Sequence, residues 1–290
     1  MSKSGFVSLI GRTNAGKSSL INYLLGQKIC MVSHKQNATR RKITAIVMHD
    51  EAQIIFSDTP GLHESNKTLN KAMVELALGS VIDADLVLFL AVCHDDVKNY
   101  EKFLAKFPTQ KHILVLTKID EMDEKKLFQK IGEYSKFDDK FLALVPVSIK
   151  KQAYRKILLD EIVKHIDENP YFYPPEFIST KTTKEIYRDL ILEAVFDSLS
   201  SEIPYAVDVM VDKVEDKDEI VVIYATIITS NENHKKMVIG KDGGTIKRVG
   251  IRAKKLICKF EERKIYLNLT VKVKKMWNID ENLIKKEFVY

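Results

Sequence analysis

The sequence predicts an α/β domain built on a mostly parallel sheet, followed by a smaller α+β domain. Three observations carry this. Short apolar runs alternate with amphipathic stretches through the first 166 residues, the pattern of a parallel sheet covered by helices on both faces. The stretch Asn169-Pro170-Tyr171-Phe172-Tyr173-Pro174-Pro175-Glu176 breaks that pattern. Prolines packed this densely continue neither a helix nor a central strand. The order that follows, helix, two strands, two helices and a strand, does not extend the first sheet. A chain of 290 residues fits two domains of ordinary size.

In the first domain, strands are expected at 6–10, 44–49, 53–57, 86–91, 112–117 and 142–147, and helices are expected to begin near Lys17, Leu69, Val97, Asp123 and Leu158. The runs 44–49 and 53–57, joined through Asp50-Glu51, read as an antiparallel hairpin at one edge. The result is a six-stranded, mostly parallel sheet with one antiparallel edge strand. In the second domain the reading is a helix over 184–200, strands over 206–214 and 219–229, and a short helix ending at Gly240. A longer helix over 245–260 and a strand over 264–274 complete it. The domains are thus 1–168, a linker 169–178, and 179–290.

Composition narrows the function classes. Hydrophobic residues make up 45% and charged residues 30%, which excludes disorder as the dominant state. The three cysteines, Cys30, Cys93 and Cys258, are far apart and form no CxxC pair, which fits a reducing compartment and argues against a disulfide framework. The apolar run 6–10 is too short for a signal peptide, and 86–93 is far short of a membrane span. The net charge of +6 is unevenly placed: residues 231–290 hold 16 Lys and Arg against 7 Asp and Glu, while the first 230 are slightly acidic. The basic end is expected to meet a polyanion.

The chemistry-bearing motifs occur in order. Gly11-Arg12-Thr13-Asn14-Ala15-Gly16-Lys17-Ser18 fits GxxxxGK[ST], with Ser19 next, and lies between a strand and a helix. The glycines let backbone N–H groups close round phosphates, the helix N-terminus adds a positive field, and Lys17 neutralises the β- and γ-phosphates. The Ser18 hydroxyl is a Mg²⁺ ligand in such a loop. Asp58-Thr59-Pro60-Gly61 follows the strand 53–57. A carboxylate at that strand end can hold Mg²⁺ through water, and the Gly61 N–H can meet the γ-phosphate. Thr117-Lys118-Ile119-Asp120 follows the strand 112–117. Asp120 can accept from guanine N1–H and N2–H₂, whereas adenine lacks the N2 donor, so the pattern favours GTP over ATP.

These elements resemble the translation-factor-type P-loop GTPases. Together with the C-terminal domain they are similar to the bacterial members that carry an RNA-binding KH domain, over about residues 5–290. The resemblance implies that Thr39, in Gln36-Asn37-Ala38-Thr39-Arg40, completes the Mg²⁺ shell. The fourth element usually reads NKxD, and Thr117 is shorter than Asn, so the tie between base loop and phosphate loop is expected to loosen and nucleotide binding to weaken. Ser148-Ile149-Lys150 stands for the fifth element, with Ile149 replacing the usual Ala and the guanine O6 met by backbone. Position 62 is Leu, which has no polar atom to orient the attacking water. Asn14 is the candidate to hold K⁺ beside the phosphates and stabilise developing charge; the alternative is an Asn favoured by the turn. The candidate catalytic set is therefore Lys17, Asn14, Thr39 and Gly61, with slow intrinsic turnover. His34 and His63 sit at no family catalytic position.

Val238-Ile239-Gly240-Lys241-Asp242-Gly243-Gly244 places GxxG between two helices in the helix–strand–strand–helix–helix–strand order of a type II KH domain. Lys247, Arg248 and Lys255 can add the electrostatic contribution to RNA binding, and Trp277 either stacks on a base or packs on the domain. By the resemblance, the ligand is the 3′ region of small-subunit ribosomal RNA and the role is GTP-controlled 30S assembly and maturation. A cytoplasmic monomer is expected, with a peripheral contact to the inner face of the membrane allowed by the basic face. The competing readings are an RNA-binding module that uses nucleotide only for structure, and a tRNA-modifying GTPase. Relatives of the latter kind end in a reactive Cys, whereas this chain ends in Phe288-Val289-Tyr290.

Overall fold

The computed structural model describes residues 2–33, 35, 41, 43–58, 79–200 and 203–274. Thr39, Thr59, Pro60, Gly61, Leu62, His34, His63, Trp277 and the helix expected near Leu69 lie outside the described residues. The contacts divide the chain into two units: 1–27, 39–66 and 73–180 form one, while 28–38, 67–72 and 181–290 form the other.

The first unit carries β1 (Lys3–Ile10), α1 (Lys17–Leu25), β2 (Ile43–His49), β3 (Ala52–Asp58), β4 (Leu86–Val92) and α2 (Lys98–Lys106). It continues with β5 (His112–Thr117), α3 (Glu124–Ser135), β6 (Ala143–Val147) and α4 (Ala153–His165). The sheet order is β2-β3-β1-β4-β5-β6. β2 pairs antiparallel with β3, from Ile43↔Asp58 to His49↔Ala52, as the hairpin reading expects. The other pairs are parallel. Every residue of β3, β4 and β5 is buried, which is why these strands read as near-continuous Val, Ile, Leu and Phe. Phe89, Tyr100, Phe103, Leu114, Leu116 and Tyr134 form the core under α2 and α3. Because β1, β3, β4, β5 and β6 run the same way, their carboxyl ends open on one side, where ligands bind in such sheets.

One boundary differs from expectation. α4 begins at Ala153 rather than near Leu158. Its first turn, Ala153-Tyr154-Arg155-Lys156, is exposed or half-exposed, and its apolar period starts only with the buried Leu158, Leu159 and Ile162. The proline-rich stretch is packed on the first unit. Gln53 is fully buried, and its Oε1 accepts from Phe172 N at 2.9 Å and Tyr173 N at 3.0 Å, while its Nε2 donates to Tyr173 O at 2.7 Å. Ser4 Oγ donates to Pro170 O at 2.7 Å, and Ile46 N to Ile178 O at 2.9 Å. Extended, proline-interrupted backbone has no ladder of its own, and these side chains satisfy it.

The second unit comprises α5 (Thr183–Ser198), β7 (Val207–Lys217), β8 (Ile220–Thr229), α6 (Glu232–Ile239), α7 (Gly244–Glu261) and β9 (Lys264–Val273). Thr182 and Glu185 form a capping box at the start of α5. The sheet order is β7-β8-β9. β7 and β8 are antiparallel with a bulge between Val211 and Lys213, and β8 and β9 are parallel through the α6–α7 crossover. Residues 28–33 and 35, although they follow α1 in the chain, pack with this unit. Among the described residues no helix is long and apolar enough to cross a membrane.

Candidate functional site

The phosphate loop joins β1 to α1. A Cβ on Gly11 would lie 2.7 Å from the Leu90 carbonyl oxygen, so only glycine lets β1 and β4 approach here. Asn14 (φ 62°) and Gly16 (φ 97°) are left-handed, and such turns aim successive N–H groups into one concavity. The first turn of α1 has no acidic residue to offset its positive end. Lys17 is buried, and its Nζ donates to Gly11 O and Arg12 O, both at 3.2 Å. Burial pulls its ammonium down to about 8, against the attraction of Asp58. Ser18 Oγ donates to Asp58 Oδ2 at 2.6 Å. Two hard oxygen ligands thus meet beside Lys17, the donor set that Mg²⁺ prefers. The Arg12 guanidinium is committed to Asp95, with Nη2 2.9 Å from Oδ1. Arg12 therefore serves the loop through its backbone.

The base loop corrects one expectation. Thr117 Oγ1 is buried at the end of β5, 3.0 Å from Ala15 O and 3.2 Å from Ala91 O. The tie to the phosphate loop is present, because the shorter side chain sits at the strand end and its hydroxyl reaches the Ala15 carbonyl directly. Lys118 is left-handed (φ 61°), and Cys93 Sγ donates to its carbonyl at 3.2 Å. Asp120 pairs with Lys150 Nζ at 2.6 Å and accepts from Ser148 Oγ at 2.7 Å. These two partners hold the Asp120 carboxyl below the ordinary range, so it stays an acceptor. Ile149, between Ser148 and Lys150, is half exposed. Lys150, which belongs to the fifth motif element, pairs with Asp120, whereas Asp95, the partner of Arg12, carries no motif signal.

In the second unit, Gly240 caps α6 at φ 75°, where a Cβ would lie 2.3 Å from Thr245 Oγ1 and 2.9 Å from Thr245 N. Gly243 (φ 71°) has nothing within 4 Å of its Cβ position, and Gly244 opens α7. The turn Gly240-Lys241-Asp242-Gly243 is thus closed on its helix side and open outward, with Ile239 half-buried beneath it. Val249, Ala253 and Ile257 bury one stripe of α7. Lys241, Lys247, Lys254 and Lys255 are exposed, and Lys254 lies over the Tyr266 ring at 5.5 Å. Arg248 is also exposed, and its Nη2 donates to Ser198 O at 3.2 Å, while Arg252 Nη1 donates to Asp197 O at 2.6 Å. Both guanidiniums satisfy carbonyls at the α5 carboxyl end.

A phosphate loop, the paired Ser18 and Asp58, and the Asp120 carboxylate on one sheet, followed by a GxxG turn on an α+β unit, have the form of a GTPase joined to a KH domain. Residues 6–118 match the family described as 50S ribosome-binding GTPase, and residues 202–278 match the KH domain family. The chain belongs to the Era family of GTPases. It is 58% identical to GTPase Era of Campylobacter fetus subsp. fetus, over 99% of this chain and all of that one. It is 53% identical to the Campylobacter jejuni subsp. jejuni protein over 98% of each chain. Among solved structures, Era in complex with MgGDPNP and nucleotides 1506–1542 of 16S ribosomal RNA superposes with a TM-score of 0.90. It is 31% identical over 98% of each chain. A variant of Aquifex aeolicus Era bound to GDP·AlF₄⁻ also gives 0.90, at 30% identity and the same coverage.

Proposed function

We propose that this chain is a GTP-controlled clamp on the 3′ region of small-subunit ribosomal RNA, acting in 30S assembly and maturation. The open, glycine-walled turn at Gly240–Gly243 between exposed lysines carries the reading, because it lets a sugar–phosphate backbone approach where any side chain would hold it off. The Era complex with 16S ribosomal RNA supports it. In the first unit, Lys17 and the backbone of 11–18 bind the phosphates and Asp120, with Lys118, Ser148 and Ile149, reads guanine. Ser18 and Asp58 hold Mg²⁺ with Thr39, and the ion supplies charge neutralisation on the phosphates. Gly61 reports the γ-phosphate, Asn14 holds K⁺ in place of a water-orienting side chain, and Leu62 leaves intrinsic turnover slow. RNA contacts come from 239–244, Lys247, Arg248, Lys255 and Trp277. The functional division is 1–168 and 179–290, with 169–178 as connection. The protein works as a monomer whose basic face allows peripheral contact with anionic membrane; vesicle sedimentation checks this.

GTP turnover with and without a single-stranded RNA of that 3′ region tests the reading. Stimulation is expected, with faster turnover in KCl than NaCl and loss of the difference in Asn14→Ala. A chain that holds nucleotide only for structure shows neither turnover nor stimulation.

A further inference from the structure

We infer that Asp95, in the loop between β4 and α2, is the positioning residue of the phosphate loop: through the Arg12 guanidinium it sets where the Lys17 ammonium sits. The inference rests on the reading of residues 11–18 as the phosphate site. Arg12 presents Nε to one Asp95 oxygen and Nη2 to the other, the latter at 2.9 Å. A fork closed on both oxygens fixes the plane of the guanidinium, which a single bond does not. Nη1 donates back to Thr13 O at 3.1 Å. The Arg12 carbonyl, in turn, accepts from Lys17 Nζ and from Ala15 N, each at 3.2 Å. The Arg12 backbone is therefore where the ammonium and the turn of the loop meet, and the Arg12 side chain is the handle by which Asp95 holds it.

Asp95 is itself held from behind. Its N–H donates to Val92 O at 2.9 Å, a turn closed on the last residue of β4. Its carbonyl accepts from Lys130 Nζ at 2.8 Å, and that buried lysine, on α3, pairs with Glu133 at 2.6 Å. A line of contacts thus runs from α3 through Asp95 and Arg12 to Lys17, and all of it lies within the first unit. An exposed ion pair with one bond adds little. This one is two-pronged, and the Asp95 side chain is only 18% exposed. It also ends on a loop that belongs to neither strand nor helix and turns through the left-handed Asn14 and Gly16. Such a loop takes its shape from ties to its surroundings. An ammonium already in place costs less to engage when the ligand arrives, so the tie favours the phosphate that Lys17 meets.

The test measures GDP and GMP affinity, with melting temperature alongside, for the full chain as wild type, Asp95→Asn, Asp95→Glu and Lys130→Met. GMP keeps the guanine and the α-phosphate and lacks the β-phosphate that Lys17 neutralises. Asp95→Asn keeps the shape and can accept on one atom only, so it is expected to bind GDP about tenfold more weakly and GMP within about twofold of wild type. Asp95→Glu keeps both acceptors and is expected to stay within about threefold of wild type for GDP. Lys130→Met loosens Asp95 from behind and is expected to lose about threefold for GDP with GMP unchanged. Should Asp95→Asn fail to fold by circular dichroism, Lys130→Met decides, and GDP affinity unchanged there overturns the inference. A lowered melting temperature in Asp95→Asn with GDP affinity intact makes the pair a structural tie only and overturns it too, as does an equal loss for GDP and GMP. A wild type that binds GDP and GMP alike overturns the phosphate-loop reading itself.

Discussion

Replacing Thr117 by Val removes one hydroxyl and keeps the β-branched shape that suits the end of β5. In the structure that hydroxyl is buried and shares its proton between Ala15 O at 3.0 Å and Ala91 O at 3.2 Å. Losing one such bond while leaving a buried carbonyl short of its donor costs about 1–2 kcal/mol. The bond spans 102 residues of sequence between the phosphate and base loops, so without it each loop moves separately. Apparent affinity then falls with the fraction of molecules whose loops are in register. Full transfer of the cost to binding is a loss of about 5–30-fold in GDP affinity. Isothermal titration with GDP measures it. Thr117→Ser, which keeps the hydroxyl, is expected to stay within about threefold of wild type. A Val variant that binds GDP within twofold of wild type refutes the tie.

The Lys17 ammonium at about 8 makes nucleotide binding pH-dependent. Bound phosphates raise it, so binding takes up a proton above pH 8. Affinity is complete below 8 and falls as pH rises through it, by up to about tenfold per unit; a flat titration from pH 7 to 9.5 contradicts this. Gly240→Ala puts a Cβ 2.3 Å from Thr245 Oγ1 at φ 75°, and thermal melting is expected to show a loss of about 1–3 kcal/mol in the second unit. Gly243→Ala meets nothing within 4 Å but sits at φ 71°; it is expected to fold with a loss of about 1 kcal/mol and yet bind RNA about tenfold or more weakly, read by fluorescence anisotropy. Gln53→Leu strips three hydrogen bonds from Phe172 and Tyr173. About 2–4 kcal/mol of stability is expected to go, with limited proteolysis cutting earlier within 170–175.

Local signals were legible in the sequence. The strands, the phosphate loop, Asp58 after its strand, Asp120 and the GxxG turn each depend on residues near one another, and each lies where periodicity and motif spacing place it. Contacts between distant residues were not legible. Glu193 meets Lys28 across 165 residues, and Gln53 meets the proline-rich stretch across about 120. A buried Gln or Glu gives no periodic sign of its partner. Thr117 was misjudged because side-chain length, judged against the usual Asn, says nothing of how near the Ala15 carbonyl lies. Arg248 belongs to a basic run, and only the fold shows that its guanidinium also reaches the Ser198 carbonyl. The start of α4 was late because an exposed first turn has no apolar period.

The most direct test of a nucleotide-gated RNA clamp is the affinity of the wild-type chain for the single-stranded RNA with GDP and with the GTP analogue, across salt. About four phosphate contacts, from Lys241, Lys247, Arg248 and Lys255, predict a log–log salt slope near −3, and the two nucleotides are predicted to separate the curves by about 5-fold or more. Coincident curves, or an affinity indifferent to salt, contradict the account.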